Sequence, residues 1–141
     1  MATTSPTGSA PALLPAPIVF LLRCEGLVVS TLSALLYART GASWWLFAAL
    51  WLTPDLSMLG YLAGLCRGAR IYNAAHTYTL PVTLAVSALA LHADALLPFA
   101  LIWINHIAID RLMGYGLKFS DGFSSTHLGR KRSVGSRLIE R

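Results

Sequence analysis

Five ionisable side chains lie in stretches that are otherwise apolar: Glu25, Asp55, His76, His106 and Asp110. An ionisable group inside a membrane span costs roughly 2.5–3.5 kcal/mol on insertion scales, so groups of this kind are kept for a partner or a function. Two imidazoles and three carboxylates are a sufficient ligand set for Zn, Fe or Mn. On this reading His76, His106 and Asp110 are the first metal ligands. Asp55 or Glu25 completes the shell or serves as a catalytic general base toward a metal-bound water. His106 and Asp110 stand at i,i+4, and Asn73 and His76 at i,i+3, so each pair shares a helix face. An i,i+4 His–Asp pair either binds one ion or has the carboxylate orienting the imidazole. Asn73, Tyr72 and Asn105 are candidates for the hydrogen bonds around such ligands. Arg111, Tyr115 and Lys118 stand beside them, placed to hold an anionic lipid headgroup. The spacing is not HExxH, and no short motif names a metal.

The elements that carry these residues are membrane helices. The chain has 141 residues, 55% of them hydrophobic and only 12% charged, with mean hydropathy +0.60. Soluble domains carry roughly 25% charged residues. The composition therefore excludes a disordered chain, an acidic tail protein and most soluble enzymes. Spans of about 20 residues limit the length to about five crossings, and Pro and Gly punctuation reduces this to four. The predicted spans are 18–38, 43–63, 71–91 and 95–115. Gly41 is read as the stop of the first and Ser43 as the cap of the second. Pro54 and Pro81 kink the second and third. The fold class is thus an all-α transmembrane bundle of four helices. Residues 1–17, with four prolines and no charge, read as a disordered leader, 18–119 as the bundle and 120–141 as a basic cytoplasmic tail. The two cysteines, Cys24 and Cys66, form no CxxC pair and read as small buried hydrophobes near helix ends.

Charge sets the orientation. With four spans, Arg23, Arg67, Arg70, Arg111, Lys118, Arg130, Lys131, Arg132, Arg137 and Arg141 share one side, and Arg39 stands alone on the other. The positive-inside rule then puts both termini in the cytoplasm, in a cell membrane. The basic tail reads as attracted to headgroups, and no nucleic-acid partner is implied. At a rise of about 1.5 Å per residue, Glu25, Asp55, His76, His106 and Asp110 all fall within about 8 Å of the midplane, on its cytoplasmic side. Four antiparallel helices thus deliver their polar groups to one slab. If they form one site, the His76 and His106 rings lie within about 8 Å of each other and both face inward.

The blocks WLTPDLSMLGYLAG, YNAAHTYTLP, HIAIDRLMGYGLKF and FSSTHLG occur in this order. They resemble the domain of unknown function 4260 family of small bacterial membrane proteins, over about residues 20–130. The resemblance implies a bacterial four-span protein and carries no assigned activity. Family-like positions include Glu25, Asp55, Tyr72, Asn73, His76, His106, Asp110, Arg111, Tyr115, Lys118 and His127.

Three functions remain open on the residues alone. The cluster is a metal centre of a lipid-directed hydrolase or oxidoreductase, a relay for protons or metal ions, or a hydrogen-bonded network that fixes helix register. His127 is a further candidate ligand or a solvated loop residue.

Overall fold

A computed structural model describes residues 14–118 and a two-stranded antiparallel pair, Ser125–Thr126 with Gly129–Arg130. Residues 1–13 of the expected leader, the tail beyond that pair, and His127 lie outside the described residues. The rest is helices joined by turns, with residues 113–118 non-helical. The elements are α1 (Ala16–Arg39), α2 (Trp44–Leu50), a 3-10 segment (Thr53–Ala63), α3 (Leu65–Ala75), α4 (Thr79–Ala90), a 3-10 turn (Asp94–Leu96) and α5 (Leu97–Leu112).

Proline explains where the helices break. Pro54 has no N–H for the Leu50 carbonyl, and its ring crowds that carbonyl. α2 ends at Leu50, and the Thr53 hydroxyl donates to the Leu50 carbonyl instead, at 2.6 Å. The chain then continues as the tighter 3-10 segment, with Pro54 in its first turn. Pro81 likewise cannot bond to the carbonyl of Thr77. The helix stops at Ala75 and restarts at Thr79, which leaves Pro81 in the first turn of α4. Asp55 follows the first break directly, and His76 caps α3 at the second.

Two expectations are thereby corrected. The third span is interrupted at 76–78 and is not one continuous helix over 71–91. The stretch 64–70, which falls between the second and third predicted spans, forms the start of α3. Its Gly68 has a packing role: it lies against the Tyr61 ring, where a Cβ would collide. The helix boundaries otherwise sit close to those expected. α1 starts two residues early because Pro17 fits a first helical turn. Gly41 takes φ +71° after α1, and Ser43 accepts from the Trp45 amide at 3.2 Å.

The segments run alternately up and down. Along α1 and α5, Tyr37 packs on Leu101 and Ile102. Ser30 and Ser33 bond Asn105, and Gly26 faces Ala108 and Leu112. The two helices are therefore antiparallel. α2 and the 3-10 segment run with α5, since Trp51 bonds Asn105 and Asp55 lies beside His106. α3 packs against the 3-10 segment in the opposite sense, with Tyr61 at Gly68 and Gly60 at Ile71. α4 packs along α5 and returns into it through the Asp94–Leu96 turn.

Polar groups face inward and apolar groups outward. Ser30, Ser33, His76, Asn105, His106 and Lys118 are buried, whereas Phe20, Leu21, Leu62 and Leu91 are exposed. Water would penalise that arrangement, and lipid favours it. Among the described residues, three helical stretches are long and apolar enough to cross a membrane: Ala16–Arg39, Trp44–Ala63 and Asp94–Leu112. α3 and α4, at roughly 16–18 Å each, are individually shorter than the ~30 Å hydrocarbon core. Cys24 and Cys66 are exposed on the outer surface, contrary to expectation.

A candidate metal centre

Four side chains from three segments converge. Asp55 comes from the 3-10 segment, His76 from the end of α3, and His106 and Asp110 from one face of α5. His76 Nε2 lies 3.3 Å from Asp55 Oδ1 and 3.5 Å from Asp110 Oδ2. His106 Nε2 lies 3.6 Å and 3.7 Å from the same two oxygens. The two Nε2 atoms are 3.3 Å apart, and the ring centroids 5.3 Å. All four donor atoms fall within 4.8 Å of one another. Neither ring meets lipid: His76 is 4% exposed and His106 1%.

These separations have a direct geometric meaning. A tetrahedral ion with bonds of about 2.0–2.1 Å has ligand–ligand edges of about 3.3–3.4 Å. Five of the six edges lie between 3.3 and 3.7 Å. The sixth, between the two carboxylates, is no longer than 4.8 Å.

The surrounding groups set the tautomer of His76. Its Nδ1 lies 3.0 Å from the Tyr72 carbonyl, which can only accept. Nδ1 therefore donates, and Nε2 presents a lone pair to the cluster. The Tyr72 ring stacks on the His76 ring at 3.8 Å and 13°. His106 is held by packing. Trp51 meets it edge-on at 5.0 Å, and His106 Nδ1 has no hydrogen-bond partner among the described residues. With neutral imidazoles and ionised carboxylates, the four converging atoms share at most one hydrogen, on His106 Nε2. Without a cation, lone pairs face lone pairs across most of the cluster.

Other candidate residues occupy different places. Glu25 is exposed on α1 and does not join the four. The buried positions of α1 are Gly26, Ser30, Ser33 and Tyr37. Glu25 is rotated by about 100° from its neighbour Gly26 and so turns away from α5. Tyr72 adjoins His76. Asn73 is turned elsewhere, clamping the Lys118 backbone with one bond of 2.9 Å and one of 2.7 Å. Asn105 accepts from Trp51 Nε1 at 3.0 Å and donates to Ser30 and Ser33, so it joins helices and does not touch the ligands.

Lys118, expected at a headgroup site, is only 8% exposed. Its ammonium lies 4.2 Å from the Tyr72 ring centre and 5.3 Å from that of Tyr61. Burial pulls its pKa below the ordinary lysine value, while Asp55 and Asp110 act to raise it. Arg111 lies over the Tyr78 ring at 5.4 Å, and Tyr115 is 42% exposed.

Two tryptophans that the sequence reading did not assign to the site organise it. Besides Trp51, Trp103 Nε1 donates to the Ala75 carbonyl at 2.7 Å and so secures the end of α3 beside His76. A signal was present for Trp103, which stands three residues before His106 on one face of α5.

The model of the family described as Domain of unknown function (DUF4260) matches residues 19–131. The chain belongs to that family. No curated protein and no solved structure matches the chain.

Proposed function

We propose that this DUF4260 protein is a four-span membrane protein that binds one divalent metal ion through Asp55, His76, His106 and Asp110, in the half of the bilayer facing the cytoplasm. The observation that carries the reading is the convergence of four donor atoms, five of whose six separations are 3.3–3.7 Å. Charge supports it as well. Two carboxylates and a divalent ion sum to zero, the state that a low-dielectric surrounding tolerates best. Tetrahedral edges with N and O donors favour Zn, while Fe(II) and Mn(II) accept the same donor set. The test is metal content. Detergent-purified protein dialysed against Zn should retain about one equivalent per chain. Retention of none by folded protein would leave the cluster as a proton-sharing network.

The cleft beside the cluster bears on the choice between enzyme and binder. It has room for about one water molecule, far below the roughly 300–1,000 Å³ of ordinary ligand pockets. That space admits no lipid chain, so catalysis on lipid is the weaker reading and metal binding the stronger.

The alternating course of the segments supports four crossings, with α3 and α4 together making the third. Antiparallel α1 and α5 put their outer ends on one side. At that end Gly114 packs against the Arg23 guanidinium, and Lys118 lies over Tyr61. The ten-to-one asymmetry of Lys and Arg makes this side the cytoplasm. A reporter fused after Arg141 should then read cytoplasmic, and one inserted at Ala93 should read external. Finding the C-terminus outside would invert the placement of the metal centre.

A further inference from the structure

We propose that residues 114–118 form a strap over the metal centre, latched to α3 by Asn73, and that the ion enters and leaves when this latch opens. The gate presupposes that the four donors hold an ion, and it adds the path by which the ion moves. A buried metal site needs such a path. His76 and His106 are 4% and 1% exposed, so neither imidazole is reached from outside while the strap is closed. Asp55 is 38% exposed, but it lies within the stretch read as the second span. There the surroundings are hydrocarbon, through which a charged ion does not travel.

A few bonds set the course of the strap. α5 ends at Leu112, and Gly114 turns the chain with φ +82° while its amide donates to the Arg111 carbonyl at 3.0 Å. The Tyr115 amide donates to the Asp110 carbonyl at 2.7 Å. Tyr115, Gly116 and Leu117 then pass beside Tyr72, His76 and Asp110, with room between them for about one water molecule. An ion carrying several waters does not fit through that space. At the far end Asn73 takes both backbone groups of Lys118. Its side-chain amide donates to the Lys118 carbonyl at 2.9 Å, and its side-chain oxygen accepts from the Lys118 amide at 2.7 Å. Asn73 stands three residues before His76 on α3, and the strap starts from the helix that carries His106 and Asp110. The latch therefore joins the two helices that present three of the four donors. It also brings the Lys118 ammonium to 4.2 Å from the Tyr72 ring centre, and that ring stacks on His76. Two hydrogen bonds are few enough to open locally while the bundle stays folded.

The experiment times Zn uptake by metal-free, full-length protein in detergent, and Zn release from loaded protein to excess EDTA. Asn73→Ala removes both latch bonds. It should speed uptake and release together, each about tenfold or more. The dissociation constant should stay nearly unchanged, because the strap covers the site with or without the ion. Asn73→Asp keeps the acceptor for the Lys118 amide and loses the donor to its carbonyl, so it should fall between. Gly114→Ala loosens the strap from its other end, since Ala adopts this φ only with strain, and should also speed both rates. These two variants decide the matter should Asn73→Ala fail to fold. Faster release with unchanged uptake would mean that Asn73 only steadies His76, and would overturn the gate. Wild-type rates in the folded variants would send the ion by another route, and would overturn the gate while sparing the metal reading. Wild type that takes up no Zn overturns both.

Discussion

Replacing both imidazoles, His76→Ala with His106→Ala, should bring retained metal to background and weaken the bundle. Each ring supplies one of four donors, and removing even an outer hydrogen-bond partner of a ligand costs about 10–100-fold in affinity. Loss of two donors therefore places binding beyond ordinary detection. The stability loss has two sources. The rings are 4% and 1% exposed, so cavities open where α3 and the 3-10 segment meet α5. Asp55 and Asp110 are also left facing each other without the groups that separated them. The milder change His76→Gln distinguishes a metal centre from a register-fixing network. Gln preserves a hydrogen-bonding group of similar reach, so a network would lose little. A metal site would lose its ion. Metal content and thermal unfolding, measured on the same preparations, read both effects. Full metal retention by the double variant would remove the two histidines from the site.

Gly26→Leu should be the most disruptive single change on α1. A Cβ at residue 26 would lie 2.8 Å from the Ala108 carbonyl oxygen and 2.8 Å from the Leu112 amide nitrogen. Both neighbours are backbone, so no rotamer change relieves the contact. The helices must separate along 108–112, the stretch that presents Asp110. Overpacking of this kind costs about 1–3 kcal/mol, and here it also moves a ligand. The expected result is a lower unfolding temperature together with reduced metal binding. Glu25→Ala is the matched control: it lies one residue away, is exposed, and should change neither. A stable Gly26→Leu that binds metal as wild type does would mean that α1 does not pack on α5 in this way.

Depth along a helix was readable from the sequence, and azimuth only in part. Counting residues at a fixed rise put Asp55, His76, His106 and Asp110 at one level, and there the structure brings them together. The i,i+4 spacing of His106 and Asp110 also carried azimuth, because both belong to one regular helix. Glu25 had the right depth and the wrong face. Which way α1 turns is decided by where it can approach α5 most closely, and that place is Gly26, a residue without a side chain to advertise it. The interrupted third span was half legible. Pro81 announced a distortion, but its effect appears three to five residues earlier, where the carbonyls lose their partner. The helix over 65–70 was hidden because Gly64, Gly68 and two arginines resemble a loop. Their glycine is instead a contact surface for the Tyr61 ring. Lys118 could not be placed from sequence, because its position depends on the paired bonds from Asn73, 45 residues away in the chain.

X-ray absorption at the Zn edge of the loaded, full-length protein tests the central claim most directly. Asp55, His76, His106 and Asp110 as ligands predict a first shell of nitrogen and oxygen only, at about 2.0–2.1 Å, with the outer-shell scattering of two imidazoles. The signal should vanish with the metal in the double histidine variant. A shell containing sulfur at about 2.3 Å, from Cys24 or Cys66, or one without imidazole scattering, would contradict the assignment.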